Sequence, residues 1–241
     1  MTIRSDYDKN GYYIIKGLFD KDEISLLGKT INEDSDLKQA HTMPLDDNHN
    51  EPRFSLWYDL PNDLYSLYTR NEKIINIVEA LLDEPCYQYH NKIVYKEPYT
   101  GGSWKWHQDY GYWYHYGFLF PKLISCMIAI DDSTIENGCL QIYRGSHCLG
   151  RIEHESVGKQ MTPNEMRLKA VDERFEKISI NLDKGDAVFF HCNLLHFSAK
   201  NTSAYPRRTL ITCYNAVSNA PYKGYDIGKP HFKERHPRST S

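Results

Sequence analysis

The sequence predicts a mainly β domain, a β-sandwich or jelly roll, whose N-terminal helices buttress one of the sheets. Short runs rich in β-branched and aromatic residues follow one another between residues 86 and 216. Turn-forming clusters separate these runs, for example at residues 100–103, 136–138 and 183–186. In βαβ units, by contrast, residues with a helical pattern would connect successive strands. A length of 241 residues suits one large β-domain, so we expect residues 1–241 to form a single domain.

One strand and two helices are predicted ahead of the β-rich region. Residues 11–15 have the composition of a strand, and residues 21–32 carry apolar side chains at helical spacing after the N-cap candidate Asp20. A second helix is predicted over residues 72–82, where apolar residues form a broad stripe ahead of a turn at Pro85. The β-rich region then contains predicted strands at residues 87–95, 123–130, 139–143, 187–191 and 209–214.

Two segments depart from this pattern. Residues 150–176 are charged, poor in β-branched residues and placed between two predicted strands, so we expect a partly helical lid insertion there. The mixed charges of this segment offer little apolar anchorage, which predicts a mobile lid that becomes ordered when ligands bind. The basic, proline-bearing tail at residues 229–241 is also expected to be mobile.

Net charge and hydropathy argue against several function classes. A formal net charge of −3 gives no broad basic field for nucleic acid or anionic lipid. Residues 1–10 lack the basic region and apolar run of a secretory signal, and no later run of about 18 apolar residues indicates a membrane span. We therefore expect a cytoplasmic protein that acts on a small-molecule substrate, with no nucleic-acid or membrane partner.

The cysteines are expected to be reduced packing residues. No CxxC pair occurs among them, and a chain of this size can stabilise itself without disulfides. A cysteine-ligated zinc site is the alternative. The residues concerned are Cys86, Cys126, Cys139, Cys148, Cys192 and Cys213.

The densest chemical signal is the stretch Trp104-Lys105-Trp106-His107-Gln108-Asp109-Tyr110. On an extended chain, residues two apart project from the same face, so His107 and Asp109 would form a pair of metal ligands on one strand. A His-x-Asp pair alone is more often a hydrogen-bonded core histidine than a metal site. The interpretation therefore needs a third ligand from elsewhere in the chain.

His196 supplies that third ligand at the end of the β-rich stretch that begins at Gly185-Asp186. Two histidines and one carboxylate leave three adjacent coordination positions open, which suits an iron(II) ion that binds a bidentate co-substrate and then O2. Zinc could occupy the same ligands. Its catalytic sites usually keep one open position, however, and zinc would not explain an arginine downstream.

Arg207 follows His196 at a distance that allows a turn and a return on the neighbouring strand. A guanidinium in that place can bind a carboxylate through two parallel hydrogen bonds. Ser198 would share the strand face of His196, because it lies two residues further on. Arg208 is expected to be an ordinary surface cation, as paired arginines usually are.

The order and spacing of these motifs resemble the phytanoyl-CoA dioxygenase family of iron(II)/2-oxoglutarate oxygenases, and especially its bacterial ectoine-hydroxylase-like members. The resemblance covers residues 11–19, 90–96, 106–109, 136–141, 145–147, 185–186 and 196–208. Arg144 departs from the family pattern, which usually has proline before Gly-Ser-His, and it should alter a turn more than the chemistry.

The resemblance implies a double-stranded β-helix with the iron(II) ligands His107, Asp109 and His196 at its open mouth. It also implies that Arg207 and Ser198 bind the distal carboxylate of 2-oxoglutarate. Further co-substrate neighbours, by the same resemblance, are Trp104 and Lys92. Substrate-contacting residues, by the same resemblance, are His90 and Trp113, although each could equally be an inward strand residue that simply packs.

The implied reaction is hydroxylation of an unactivated C–H bond of a small polar metabolite by O2, with release of succinate and CO2 from 2-oxoglutarate. Asp109 favours hydroxylation, because relatives that halogenate lack the carboxylate ligand; desaturation and ring formation remain alternatives. Two other function classes also stay open. One is a cupin-like zinc or manganese enzyme that works without oxygen, and the other is a catalytically silent jelly-roll module that binds a metabolite.

Overall fold

The computed structural model describes residues 2–38, 53–99, 102–158 and 160–223. The N-terminal part contains α1 (Ile3–Asn10), β1 (Tyr12–Ile15), α2 (Lys21–Glu33), α3 (Ser35–Lys38), β2 (Arg53–Trp57), α4 (Leu64–Thr69) and α5 (Glu72–Leu82). The remainder contains β3 (Cys86–Lys96), β4 (Trp104–His107), α6 (Asp109–Trp113), β5 (Leu123–Ala129), β6 (Leu140–Tyr143), β7 (His154–Val157), β8 (Gln160–Pro163), α7 (Glu165–Asp172), β9 (Lys177–Ile180), β10 (Ala187–His191), β11 (His196–Ser198) and β12 (Arg207–Ala216). The predicted tail at residues 229–241 lies outside the described residues.

The strands form two antiparallel sheets and a separate hairpin. One sheet has six strands in the order β1-β10-β5-β12-β3-β2, and the other has four in the order β4-β11-β6-β9. Strands β7 and β8 pair only with each other in a two-stranded sheet. The predicted mainly β class is confirmed, and the two larger sheets are the two layers of a jelly roll.

The six-stranded sheet is buried on both faces, and the side chains of β10 show how. Phe189 packs into the cluster formed with the helices, whereas the neighbouring Phe190 packs into the cluster between the two sheets. This alternation follows from the two-residue period of a strand. Each fully buried apolar side chain of this size stabilises the fold by about 1.5–3 kcal/mol. The predicted packing of N-terminal helices against one sheet is therefore confirmed.

Helices α2 and α5 begin where the sequence predicts them. The Asp20 carboxylate accepts hydrogen bonds from the backbone N–H groups of Asp22 and Glu23, both at 2.9 Å, and the Glu23 carboxylate accepts from the Asp20 N–H at 2.8 Å. This capping box satisfies N–H groups that have no partner within the helix. Helix α5 spans the predicted residues 72–82 after its N-cap Asn71.

Helix α1 is not predicted from the sequence, because it carries almost no apolar pattern. Thr2 caps it by accepting from the Ser5 N–H at 3.3 Å, and Gly11 ends it at a φ of 80° that disfavours residues with a Cβ. Tyr7 is its one buried side chain. Among the described residues, no helix has the length and apolar character needed to cross a bilayer.

The segment 150–176 contains hairpin β7–β8 and helix α7. The helix agrees with the predicted partly helical character, whereas the hairpin is not predicted. The expectation of little apolar anchorage is wrong, because Ile152 and Val171 are buried in one cluster with Tyr143 and Leu195. The strand residues of the hairpin lack the β-branched, alternating pattern of the other strands, so the sequence does not predict it.

Candidate active site

His107, Asp109 and His196 lie together at one end of the four-stranded sheet. His107 is the last residue of β4, and His196 lies opposite it as the first residue of β11. Asp109 is not on the strand, as the sequence suggested, but is the first residue of α6. The chain leaves the strand at Gln108 and turns into the helix. The three residues nonetheless each offer one ligand atom within 4.8 Å of the others, and all three are buried.

Both imidazole rings are oriented by backbone carbonyl groups. The Nδ1 of His107 lies 2.7 Å from the Lys105 carbonyl oxygen, and the Nδ1 of His196 lies 2.9 Å from that of Leu194. A carbonyl oxygen only accepts, so each Nδ1 carries the proton. The Nε2 atoms are therefore free of protons, and each lies 3.9 Å from Oδ1 of Asp109. This tautomer presents two nitrogen lone pairs and one carboxylate oxygen to a common point.

The protonation states of the three side chains also suit a cation. Burial lowers the pKa of both His107 and His196, so the two rings are neutral. Burial alone would raise the pKa of Asp109, but the positive charge of nearby Lys92 and a hydrogen bond from Ser125 act in the opposite direction, and the pKa is about 2. Neutral imidazoles and an ionised carboxylate are the forms in which these groups bind metals. The donor set fits a divalent ion such as iron(II).

Ser125 holds the carboxylate of Asp109 from the six-stranded sheet. Its Oγ donates to Oδ2 at 2.9 Å, which leaves Oδ1 directed at the two histidines. Hydrogen bonds of this kind orient metal ligands and tune their basicity. The sequence has no local signal for this contact, because Ser125 lies on β5 and is otherwise an ordinary buried strand residue.

A cavity between the two sheets adjoins this cluster. Its lining includes His107 and His196 together with the four residues that the family resemblance implies as co-substrate neighbours. Apart from Thr209, the remainder of the wall is formed by apolar residues, among them Val94, Met127 and Phe190. Polar groups at few points in a mostly apolar cavity are typical of small-molecule sites. The assigned co-substrate residues are Lys92, Trp104, Ser198 and Arg207.

Arg207 lies on the wall of this cavity, but not on a strand next to β11 as predicted. It is the first residue of β12 in the six-stranded sheet, so it faces β11 across the cavity. The side chain is buried, with 3% of the residue exposed, and within the described part of the chain its Nε has no hydrogen-bond partner. Burial lowers its pKa to about 10, which leaves it charged near neutral pH. An unpaired buried cation is costly, so an anionic ligand would offset this cost.

Arg208 is not the ordinary surface cation that the sequence suggested. Its Nε donates to Oδ2 of Asp131 at 2.7 Å and its second terminal nitrogen donates to Oδ1 at 2.8 Å. A further hydrogen bond of 2.6 Å joins it to the Asn32 side chain of α2. Arg208 therefore ties β12 to the end of β5 and to a helix, while its neighbour Arg207 points into the cavity.

His90 and Trp113 lie in an aromatic cluster beside the metal-ligand cluster rather than in the lining of this cavity. Their rings meet edge to face with centroids 5.7 Å apart, and Tyr58 and Tyr89 also contact His90. Burial and then the charge of Lys92 lower the pKa of His90 to about 3. Its Nδ1 is buried with no hydrogen-bond partner among the described residues, so a ligand could supply one.

Comparison with known proteins agrees with this architecture. The family model described as phytanoyl-CoA dioxygenase matches residues 7–209. The ectoine dioxygenase of Sphingopyxis alaskensis is 26% identical over 239 residues, covering 93% of this chain and 78% of that protein. The L-proline trans-4-hydroxylase of Streptomyces griseoviridis is 32% identical over 165 residues, covering 61% of each chain.

Solved structures share the fold. The structure of EctD from S. alaskensis with 2-oxoglutarate and 5-hydroxyectoine has a TM-score of 0.77 at 23% identity, covering 96% of this chain and 82% of that one. The carbocyclase SnoK from nogalamycin biosynthesis has a TM-score of 0.71 at 21% identity, covering 89% of this chain and 83% of that one. Because the family model spans far more than half of the sequence, the chain belongs to the phytanoyl-CoA dioxygenase family.

Proposed function

We propose that this dioxygenase uses iron(II), 2-oxoglutarate and O2 to hydroxylate an unactivated C–H bond of a small polar metabolite. The observation that carries the proposal is the convergence on one cavity of a buried two-histidine, one-carboxylate cluster and a buried guanidinium whose Nε has no hydrogen-bond partner among the described residues. The overall reaction converts R–H, 2-oxoglutarate and O2 into R–OH, succinate and CO2. One oxygen atom enters the product and the other enters succinate.

His107, Asp109 and His196 would hold the iron, which supplies the redox chemistry that couples decarboxylation of 2-oxoglutarate to C–H hydroxylation. The side chains of the protein would bind and orient 2-oxoglutarate and exclude water from the site. Arg207 can form two parallel hydrogen bonds to the distal carboxylate, with Ser198 on the facing strand as a further donor. The mostly apolar wall keeps bulk water away from the reacting atoms.

The aromatic cluster around His90 is our proposed substrate-binding region. His90 pairs with Cys213, six residues along β12 from Arg207, and the charge of Asp109 is close enough to affect the pKa of His90. A neutral, unpaired ring nitrogen can accept or donate one hydrogen bond, and the rings of Tyr58 and Trp113 add apolar contact. Two relatives are named for ectoine and L-proline, and a small polar molecule of that size suits such a region.

Anaerobic reconstitution with iron(II), followed by O2 and 2-oxoglutarate, is the experiment that tests this function. We expect members of a panel of amino acids and other small polar metabolites to raise succinate formation above the substrate-free rate, with one hydroxylated product per succinate. Turnover that needs neither O2 nor 2-oxoglutarate would instead indicate a zinc or manganese enzyme. Binding of a metabolite with no succinate under any condition would indicate a silent binding module.

We also propose that residues 150–176 act as a lid over the site. Hydrogen exchange measured by mass spectrometry is expected to slow across this segment when 2-oxoglutarate and substrate bind to the anaerobic iron-loaded protein, because closure protects backbone amides from water. Helix α7 within this segment carries exposed side chains, including Met166 at 81% exposure. Slow exchange already present in the metal-free protein, and unchanged by ligands, would identify a rigid scaffold and contradict the lid.

A further inference from the structure

Gln108, the residue between the two ligands of the His-x-Asp motif, is completely buried with 0% exposure. Its side-chain nitrogen donates to the carbonyl oxygens of Gly150 at 2.8 Å and Asn193 at 2.7 Å. Its side-chain oxygen accepts from the backbone N–H of Ile152 at 2.7 Å. Both amide protons and one acceptor site are therefore used, which is a nearly complete set of bonds for a buried amide.

These bonds join three separate segments of the metal centre. Gln108 itself links His107 to Asp109, and Asn193 lies in the turn between β10 and β11 that leads into His196. Near the Gln108–Asn193 bond, a backbone hydrogen bond from the Tyr110 N–H to the Cys192 carbonyl oxygen at 2.9 Å also joins the His107–Asp109 segment to this turn. The third segment, from Gly150 to Ile152, leads into hairpin β7–β8.

His154 holds Gln108 from the opposite side. Its Nδ1 lies 2.7 Å from the Ile152 carbonyl oxygen and carries the proton, so its Nε2 accepts from the Gln108 backbone N–H at 2.9 Å. Gly111 makes this approach possible, because a Cβ on it would lie only 2.5 Å from Cε1 of His154. The position of the histidine ring thus depends on a glycine in α6.

We propose that Gln108 is a positioning residue that sets the spacing between the His107–Asp109 segment and His196. The inference rests on the proposed iron-binding role of those three residues. The ligand atoms come from two segments that β4–β11 pairing joins through irregular register, with a shift between His196 and Ser198. Strand pairing places His107 opposite His196 but does not reach Asp109, which lies beyond the strand. The bond from the Gln108 side-chain nitrogen to the Asn193 carbonyl oxygen joins the two segments directly. Residues that support metal ligands in this way typically change metal affinity by about 10–100-fold when they are lost.

A purely structural role is the competing explanation, in which Gln108 merely fastens the hairpin. Gln160 offers a matched control, because it is also a buried glutamine, with 3% exposure, that joins the hairpin to β4. Its side-chain oxygen accepts from the Lys105 N–H at 2.7 Å and its nitrogen donates to the Ser103 carbonyl oxygen at 3.2 Å. These two bonds go to residues 103 and 105 rather than to the turn before His196. Gln160 binds the N–H of Lys105 and not the carbonyl oxygen that orients His107, so loosening the hairpin at Gln160 should leave the metal ligands in place.

The test compares Gln108→Met with Gln160→Met in the full chain, since methionine keeps the length of glutamine without its hydrogen bonds. Anaerobic titration with cobalt(II), whose visible absorption reports ligand geometry, gives the metal affinity without requiring turnover. We expect Gln108→Met to bind cobalt(II) about 10–100-fold more weakly, with an altered absorption spectrum, and Gln160→Met to resemble wild type in both. Equal weakening in the two variants, or a wild-type affinity and spectrum for Gln108→Met, would overturn the proposal.

A second pair of variants covers the case in which Gln108→Met fails to fold. His154→Phe keeps a ring of similar shape but removes the acceptor for the Gln108 N–H, whereas His154→Gln restores an acceptor at a similar distance. We expect weakened cobalt(II) binding in the first and recovery in the second, and equal affinities would contradict the proposal. If the wild-type chain itself binds neither cobalt(II) nor iron(II), the proposed function fails instead, so the two failures are distinguishable.

Discussion

Asp109→Ala is expected to abolish substrate hydroxylation and to weaken iron(II) binding by more than about 100-fold, beyond the usual cost of losing only a supporting residue. The substitution removes the one anionic ligand and leaves two neutral imidazoles. His107→Ala and His196→Ala should have comparable effects, because each removes a nitrogen ligand from the same point. Iron(II) affinity under anaerobic conditions and succinate formation with O2 measure the two consequences separately.

The fold should survive the loss of Asp109. Its hydrogen-bond partner Ser125 keeps a second contact, because its Oγ also lies 3.3 Å from Sγ of Cys213. Circular dichroism and thermal unfolding of the metal-free variant should therefore stay close to wild type. His115→Ala is the matched control, since this exposed histidine lies a few residues from Asp109 and outside the cluster. If one of the three alanine variants at His107, Asp109 or His196 keeps wild-type iron affinity and turnover, the residue replaced in it is not a metal ligand.

The parts of the fold with a strong local pattern were predictable. Helix α5 and strand β10 have the predicted bounds, because a broad apolar stripe and a continuous apolar run specify them without help from distant residues. Hairpin β7–β8 has no such pattern. It is held by hydrogen bonds of individual side chains. Gln160 binds Lys105 of β4, 55 residues away in the sequence, and His154 binds Gln108, 46 residues away. Contacts at that separation leave no periodic signal.

The sequence predicts which residues form the site, but it predicts less well on which element each residue lies and which partner its side chain has. The spacing of His107, Asp109 and His196 indicates the residue types of an iron centre, and the structure brings all three together. Whether the chain stays extended through Asp109 depends on a turn that the motif does not encode. Arg208 shows the same limit, because its partner Asp131 is 77 residues distant, so the sequence predicts an exposed cation where the structure has an ion pair.

Arg207→Lys is expected to weaken 2-oxoglutarate binding by about 10- to 100-fold, which corresponds to one charge-assisted hydrogen bond of about 1.5–3 kcal/mol. A lysine keeps the positive charge, but its ammonium group cannot form the two parallel hydrogen bonds of a guanidinium. The metal affinity should change little, since Arg207 belongs to β12 and none of the three ligand residues does. Titration of the anaerobic iron-loaded protein with 2-oxoglutarate gives the affinity directly.

Arg208→Lys is the matched control for Arg207→Lys. It should lower the stability of the fold and leave the affinity for 2-oxoglutarate unchanged. The side chain faces Asp131 and α2, away from the cavity, so 2-oxoglutarate affinity should stay close to wild type. Stability should fall by about 1–3 kcal/mol, because lysine loses one of two charge-assisted bonds to a largely buried carboxylate and the bond to Asn32. Chemical unfolding of the metal-free proteins measures this difference. If Arg208→Lys instead weakens 2-oxoglutarate binding more than Arg207→Lys does, then Arg208 rather than Arg207 binds the co-substrate, and the assignment of the two neighbouring arginines must be exchanged.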